Sequence, residues 1–373
     1  MAATSVYLCD PFGVRLADAS NFVKLQYTRV VNDVGALKLW LPADFDMNLI
    51  RIPDGRIEVW RRLPGSSREY LDTETVWLIK AMQWDRDNKG AVSLLVEATT
   101  PMQILKERFA DGPIDSLVSP IPAGTADDQI KIMAFLNGIG TSGTYTFGGA
   151  DQGNGIRIGS YVSVAPFESA GVSLPQWDTA WKYLLPMMQT IAASSTANGT
   201  YVAFDIVAPT VNTLELRTYT QQRGVDHRYP NGQNPVLFGG EFSNVGQATL
   251  RLDYGKEITY CSAVISGIIA GYFWENTRID VSPFGRRMAY VPTQVQSATL
   301  GDYAAAVVRS NRARLVYRGR LISTPDTCYG VHWNWGDFVT VQDFGHSFDC
   351  RIEAVTVTVE KSQEKIDAIA KSD

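Results

Sequence analysis

The stretch Tyr27-Thr28-Arg29-Val30-Val31-Asn32-Asp33-Val34-Gly35-Ala36-Leu37-Lys38-Leu39-Trp40-Leu41-Pro42 holds two strand-like runs separated by Asn32-Asp33. Asn and Asp favour chain reversal because their short side chains bond nearby backbone and tolerate left-handed conformations. The pattern predicts strands over 22–31 and 36–41. Upstream, Val6-Tyr7-Leu8 and Val14-Arg15-Leu16 flank Asp10-Pro11-Phe12-Gly13, which reads as an N-terminal β-hairpin. Downstream, strand-like runs occupy 56–60, 75–84 and 91–98, divided by Pro53-Asp54-Gly55, Pro64-Gly65 and 85–90. Short strands at this spacing predict a small barrel or sandwich. Strands return at 201–207, 213–218, 246–254, 258–267, 338–341 and 348–359.

Helices interrupt this pattern. Thr100, Pro101 and Gln103 form a capping-box signature for a helix over 101–109. A second, 126–137, follows Thr125, carries Asp127 and Asp128 at its positive end and stops at Gly138, with Ile130, Met133 and Ala134 marking its inner face. A third follows Asp178 with Trp181, Leu184, Leu185 and Met188, and Pro186 is expected to kink it. A fourth, 303–315, takes Asp302 as N-cap. The Gly-, Ser- and Asn-rich stretches 138–155 and 194–199 read as surface loops and insertion boundaries. The expected class is mainly β with inserted helices, a β-rich α+β chain. It divides into a barrel-like domain 1–100, a helical and loop-rich insertion 101–199, a β-rich middle segment 200–245, and a second barrel-like domain 246–373 with its helix near 303–315.

At 373 residues the chain exceeds one compact core and suggests about two to four domains. Its net charge of -5 supplies no basic field for nucleic acid, while 45% hydrophobic and 20% charged residues place it among globular chains. The start lacks the basic and apolar regions of a signal peptide. The weakly polar run 261–274 falls short of the roughly 20 residues of a membrane helix, so no membrane-spanning segment is expected and the run reads as buried strand. Cys9, Cys261, Cys328 and Cys350 lie far apart with no C-x-x-C pair and read as reduced core thiols.

Signatures for chemistry are sparse. His227, His332 and His346 lack the i, i+4 spacing of a helical metal site. His332, Asp337, Asp343, His346 and Asp349 can meet across a hairpin, yet Asp and His beside Gly336 and Gly345 are ordinary turn residues. No G-x-S-x-G elbow occurs, and the glycine-rich 148–159 lacks the Lys of a phosphate loop. Paired carboxylates for sugar hydrolysis leave no sequence spacing to test. The expectation is therefore no catalytic, metal or cofactor-binding residue and no cofactor. The densest basic segment is Arg309, Arg312, Arg314, Arg318 and Arg320, spread over a helix and the following strand. In an acidic chain, with 23 Arg to 11 Lys, nine Trp and 16 Tyr, it reads as an assembly interface.

Three sets of residues carry a resemblance. Val6-Tyr7-Leu8-Cys9-Asp10 with Val14-Arg15-Leu16, the stretch from Tyr27 to Pro42, and Arg56-Ile57-Glu58-Val59-Trp60-Arg61 resemble the N-terminal part of tail-tip hub proteins of long non-contractile-tailed phages. Tyr329, Trp335-Gly336-Asp337-Phe338-Val339-Thr340-Val341 and the run from Arg351 to Glu360 resemble the closing barrel of the same group. The resemblance spans about the first hundred and last seventy residues. It implies a non-enzymatic structural protein similar to the baseplate hub of contractile phages, with two barrels per chain and a homotrimer. Such a ring adapts the six-fold tail tube to a three-fold fibre or spike. The implied partners are the distal tail protein, the tape measure protein and a tail fibre or receptor-binding protein, with genomic DNA as passing cargo in the channel. The implied location is the virion tail tip or baseplate, after synthesis in the host cytoplasm. The competing reading is a carbohydrate-binding or carbohydrate-active β protein, in which Trp333 and Trp335 project from one strand face as a sugar platform.

Overall fold

The two opening runs form the strands Lys24–Val30 and Ala36–Pro42, paired antiparallel from Lys24 opposite Trp40 to Thr28 opposite Ala36. Leu25, Tyr27, Leu37, Leu39 and Leu41 fill one face and are buried. Asn32 adopts a left-handed φ of 56° in the turn. Its side chain accepts the Phe204 N–H at 2.7 Å and donates to the Val202 carbonyl at 3.3 Å, so the turn also docks the middle of the chain. The structure is a computed structural model and describes residues 3–42, 44–46, 54–63, 67–86, 90, 92–108, 120–136, 161–178, 182–265, 268–274, 287–292, 300–361 and 363–372.

From this hairpin a mainly antiparallel sheet of 14 strands extends both ways. On one side Ala36–Pro42 pairs with Val92–Thr99, followed by Trp77–Arg86, Arg56–Arg62, Ala3–Cys9 and Arg15–Asp18. On the other, Lys24–Val30 pairs with the 15-residue His346–Glu360, then Gln363–Lys371, Arg314–Leu321 and Val245–Asp253. Glu69–Leu71, Leu237–Phe238 and Phe338–Asp343 attach beside this path. The β-rich α+β class is as expected, but among the described residues no barrel closes. The two chain ends are flanks of one open sheet, joined where Ala354 to Glu360 pairs with Val30 to Lys24. Alternation in each run reports one buried face and says nothing of which strand lies alongside. One apolar core accordingly runs from Val6 and Leu25 to Val357 and Ile366.

Four described helices, α1 (Gln103–Lys106), α2 (Ala126–Leu136), α3 (Leu184–Ala197) and α4 (Leu300–Ser310), lie off the sheet. A second core joins α2 and α3 to the strands Val202–Thr210 and Thr213–Thr220, and a third packs α4 on Cys261 and Ala263 of Tyr260–Ile265. Within the described residues, α1 is a single turn and not a helix over 101–109. Thr100 does not cap it, because its hydroxyl accepts the Gly35 N–H at 2.9 Å and so ties down the opening hairpin. α2 falls where expected. α3 starts later, at Leu184, with Trp181 outside the described residues. Pro186 sits in its first turn, where a missing N–H costs nothing, so it does not kink the helix.

α3 also runs through Ser194, Ser195 and Thr196, read from sequence as loop. The Thr196 hydroxyl bonds the Ala192 carbonyl at 3.0 Å and Ser195 bonds Thr200 at 2.8 Å, which satisfies both polar side chains inside packed structure. α4 begins before Asp302 and ends at Ser310, leaving Arg312 and Arg314 beyond it. The glycine-rich 148–159 and the loop 138–155 lie outside the described residues, and Val162–Val164 beyond them is a strand. Gln363–Lys371 has no counterpart in the sequence reading, because its outward Lys365, Asp367 and Lys371 mask an inward row of Ile366, Ala368 and Ala370. No described helix is long and apolar enough to cross a membrane.

Candidate functional site

The five arginines separate into two groups. Arg309, at the end of α4, donates to the Ala197 carbonyl at the end of α3 at 2.8 Å, and its guanidinium lies 5.3 Å from the Phe273 ring centre. A cation on a helix C-terminal carbonyl is a favourable charge–dipole contact. Arg312 is exposed in the turn after α4. Arg314, Arg318 and Arg320 share one face of Arg314–Leu321, while Tyr317, Gly319 and Leu321 face the core. Arg318 and Arg320 are exposed, and Arg320 reaches Asp367 on the neighbouring strand at 3.2 Å. The segment therefore divides between an internal helix clamp and a solvent-facing ladder.

A set of buried charges, not singled out in the sequence, ties the chain together. Arg29 is 1% exposed and ion-paired with Asp205 of the middle segment. Arg223 lies 3.7 Å from the same carboxylate. The guanidinium groups of Arg29 and Arg223 lie 4.4 and 4.1 Å from the Trp335 ring, so one indole serves cations from the opening hairpin and the middle segment. Nearby, Arg61 donates to Glu364 at 2.5 Å, has Nη1 3.8 Å from Asp72, and lies 4.8 Å from the Tyr329 ring. The Tyr27 hydroxyl bonds Asp72. Burial pushes the Asp72 and Glu364 carboxyls up, and Arg61 opposes this in both. The signal was present in the alternation: Arg29 follows Leu25 and Tyr27, and Arg61 follows Ile57 and Val59, on the inward parity of their strands. An arginine there requires a buried partner.

The histidine and carboxylate candidates do not converge, and among the described residues no three His, Cys, Asp or Glu side chains are placed to share a metal ion. Asp337 accepts the N–H groups of Val225 and Asn334 at 2.7 and 2.5 Å and faces Nε2 of His227 at 3.6 Å. Burial pushes its carboxyl up to about 6, against the pull of those bonds and of His227 and Arg223. Asp343 accepts the Tyr317 hydroxyl, Asp349 accepts Thr340, and His332 accepts the Cys328 N–H. His346 is exposed. All four cysteines are free. Burial and the neighbouring Glu58 push the Cys9 thiol far up, so it is no nucleophile at neutral pH.

Trp333 and Trp335, the expected sugar platform, are 2% and 3% exposed. Trp333 packs edge-on against Phe238 at 5.4 Å and donates its indole N–H to Thr327. Neither ring is available to a glycan.

No protein-family model matches the sequence, and no curated protein matches it. The fold is shared with phage tail proteins. A tail protein from Neisseria meningitidis MC58 superimposes with a TM-score of 0.59 at 12% identity, over 100% of this chain and 97% of the other. The prophage MuSo2 43 kDa tail protein from Shewanella oneidensis gives 0.58 at 12% identity, over 99% and 96%. The prophage tail protein gp18 from Listeria monocytogenes gives 0.53 at 11% identity, over 98% and 94%.

Proposed function

We propose that this chain is a structural component of a phage tail tip, a baseplate hub protein. In this reading it forms a homotrimeric ring that adapts the six-fold tail tube to a three-fold fibre or spike and encloses the DNA exit channel. The observation that carries the reading is end-to-end likeness in fold to phage tail proteins, extending over 100% of this chain and 97% of the Neisseria protein. The open sheet supports it physically. Its edges, Arg15–Asp18 and Val245–Asp253, are different strands, so copies joined edge to edge make a head-to-tail contact, the kind that closes into a ring. The net charge of -5 suits a conduit that must not hold DNA.

The exposed ladder of Arg318 and Arg320, with Arg312 beside it, is the proposed assembly surface. The proposed partners are the distal tail protein, the tape measure protein and a fibre or receptor-binding protein, and the proposed location is the virion tail tip. Light scattering on the purified chain, alone and with the tail protein encoded beside it, tests the reading. A mass of three times 41.2 kDa, or a complex with three copies, is the expected result. A monomer that ignores that partner overturns it.

A further inference from the structure

The solvent face of the central sheet carries a line of cations along Arg314–Leu321 and Gln363–Lys371. Arg314, Val316, Arg318 and Arg320 lie on the outward parity of the first strand, and Lys365, Asp367, Ile369 and Lys371 on that of the second. The register sets Arg320 beside Asp367, Arg318 beside Ile369, and Val316 beside Lys371. A cation therefore stands at each outward level from Lys365 through Arg320, Arg318 and Lys371 to Arg314, and Arg312 continues the line into the turn after α4. Alternate residues of a strand recur roughly every 6.7 Å, so the line has a β repeat.

The carboxylates beside this line on its own and flanking strands are already taken. Asp367 pairs with Arg320 at 3.2 Å, Glu353 with Lys371 at 3.9 Å, and Asp253 with Arg251 at 3.4 Å. Arg312, Arg318 and Lys365 are exposed and have no ion pair among the described residues. These spare cations give the face a field opposite in sign to the net charge of -5 of the whole chain. Copies joined edge to edge leave the sheet faces uncovered, so the line is open to a different molecule, a step that rests on the proposed ring. A phosphate backbone binds by neutralising many phosphates at once, and three spare cations on an acidic chain are too few for it. An extended polypeptide shares the repeat of the line, so acidic residues at every second position of such a segment meet one cation each. We propose that this face docks an extended acidic segment of another protein, laid along the strands with its carboxylates on Lys365, Arg318 and Arg312.

Fluorescence anisotropy with the full chain at low ionic strength tests this with three probes: a labelled peptide of alternating Glu and Thr, its Gln and Thr counterpart, and a labelled DNA duplex. The expected result is saturable binding of the Glu peptide that weakens as salt is added, with the Gln peptide and the duplex both weaker by about tenfold or more. Arg318→Glu with Lys365→Glu changes two exposed positions, so it should keep the wild-type melting temperature and lose about tenfold in affinity for the Glu peptide. Lys106→Glu, exposed on α1 and off the sheet, alters net charge without touching the line and should bind as wild type does. Light scattering on the same samples separates this face from the ring: a monomer that binds the Glu peptide refutes the ring and leaves the docking face standing, whereas a trimer blind to the peptide refutes the docking face alone. Equal binding of the Glu and Gln peptides, preference for the duplex, unchanged affinity in the double variant, or an equal loss in Lys106→Glu also overturns the proposal.

Discussion

Gly336→Val separates backbone strain from packing at the turn that brings Trp335 and Asp337 into the core. Gly336 has φ +83°, donates its N–H to the Ile352 carbonyl at 2.9 Å and accepts the Gly224 N–H at 3.2 Å. A Cβ added there would lie 2.6 Å from Arg223 Cγ and 3.1 Å from Arg223 Cβ. Gly345 is the control, with φ +73° and nothing within 4 Å of an added Cβ. Left-handed backbone costs an L-residue about 1–2 kcal/mol, and a β-branched one sits at the upper end, so Gly345→Val should lose on the order of 2 kcal/mol. Gly336→Val carries the same strain and also moves Arg223 off the Trp335 ring and away from Asp205. Removing a partner from a buried ion pair costs about 3–5 kcal/mol, and partial displacement should add roughly 2 kcal/mol. Urea unfolding followed by tryptophan fluorescence should place Gly336→Val on the order of 4 kcal/mol below wild type, about twice the loss in Gly345→Val. Losses that agree within about 0.5 kcal/mol would show that Arg223 is not held as described.

Arg29→Met leaves Asp205 buried and without its main partner, and should destabilise by about 3–5 kcal/mol in the same assay, whereas Arg29→Met with Asp205→Leu should recover most of that loss. A double variant no better than the single one would refute the pairing. Asp337 has a folded-state pKa raised from 3.8 to about 6, so the folded state binds the extra proton between those values and the stability contribution of this group falls as pH rises through that window. Asp337→Asn cannot ionise, so the gap between wild type and variant should shift in favour of the variant by on the order of 2 kcal/mol between pH 4 and pH 7. A gap independent of pH would contradict the burial argument. Arg312→Ala with Arg318→Ala changes two exposed side chains and should move monomer stability by no more than about 0.5 kcal/mol while shifting the assembly midpoint in a dilution series. Unchanged assembly would remove these residues from the interface.

The local grammar of the chain was readable wherever one residue's chemistry decides one backbone feature. Asn32 at its left-handed turn, Gly336 at φ +83°, the acidic first turn of α2 and the alternating strands all follow from period, charge and steric freedom. Where a side chain had two possible partners, the reading went astray. Thr100 matched a cap signature, but its hydroxyl serves Gly35, 65 residues away. Ser194 to Thr196 matched a loop composition, but α3 buries Ser194 and Ser195. The carboxylates of Asp127 and Asp128 serve the amides of 168–171 and not only their own helix end.

The candidate sites show the same division. The exposed arginines were visible as a cluster of charge, yet their separation into a helix clamp and a strand ladder depends on where α4 stops. The buried cations at Arg29 and Arg61 could be placed on inward parity from their neighbours, but Asp205 and Glu364 lie 176 and 303 residues away. Trp333 and Trp335 looked like a surface pair because sequence spacing gives no account of which face a loop presents. What the sequence determined by itself was class and local form: a β-rich chain with inserted helices, its strand faces and its turns, because these depend on residues within a few positions of one another. Only the tertiary structure decided that both chain ends build one open sheet and that arginines cross-link its parts. Strand order and charge pairing are settled by burial shared between segments hundreds of residues apart, and no local period encodes them.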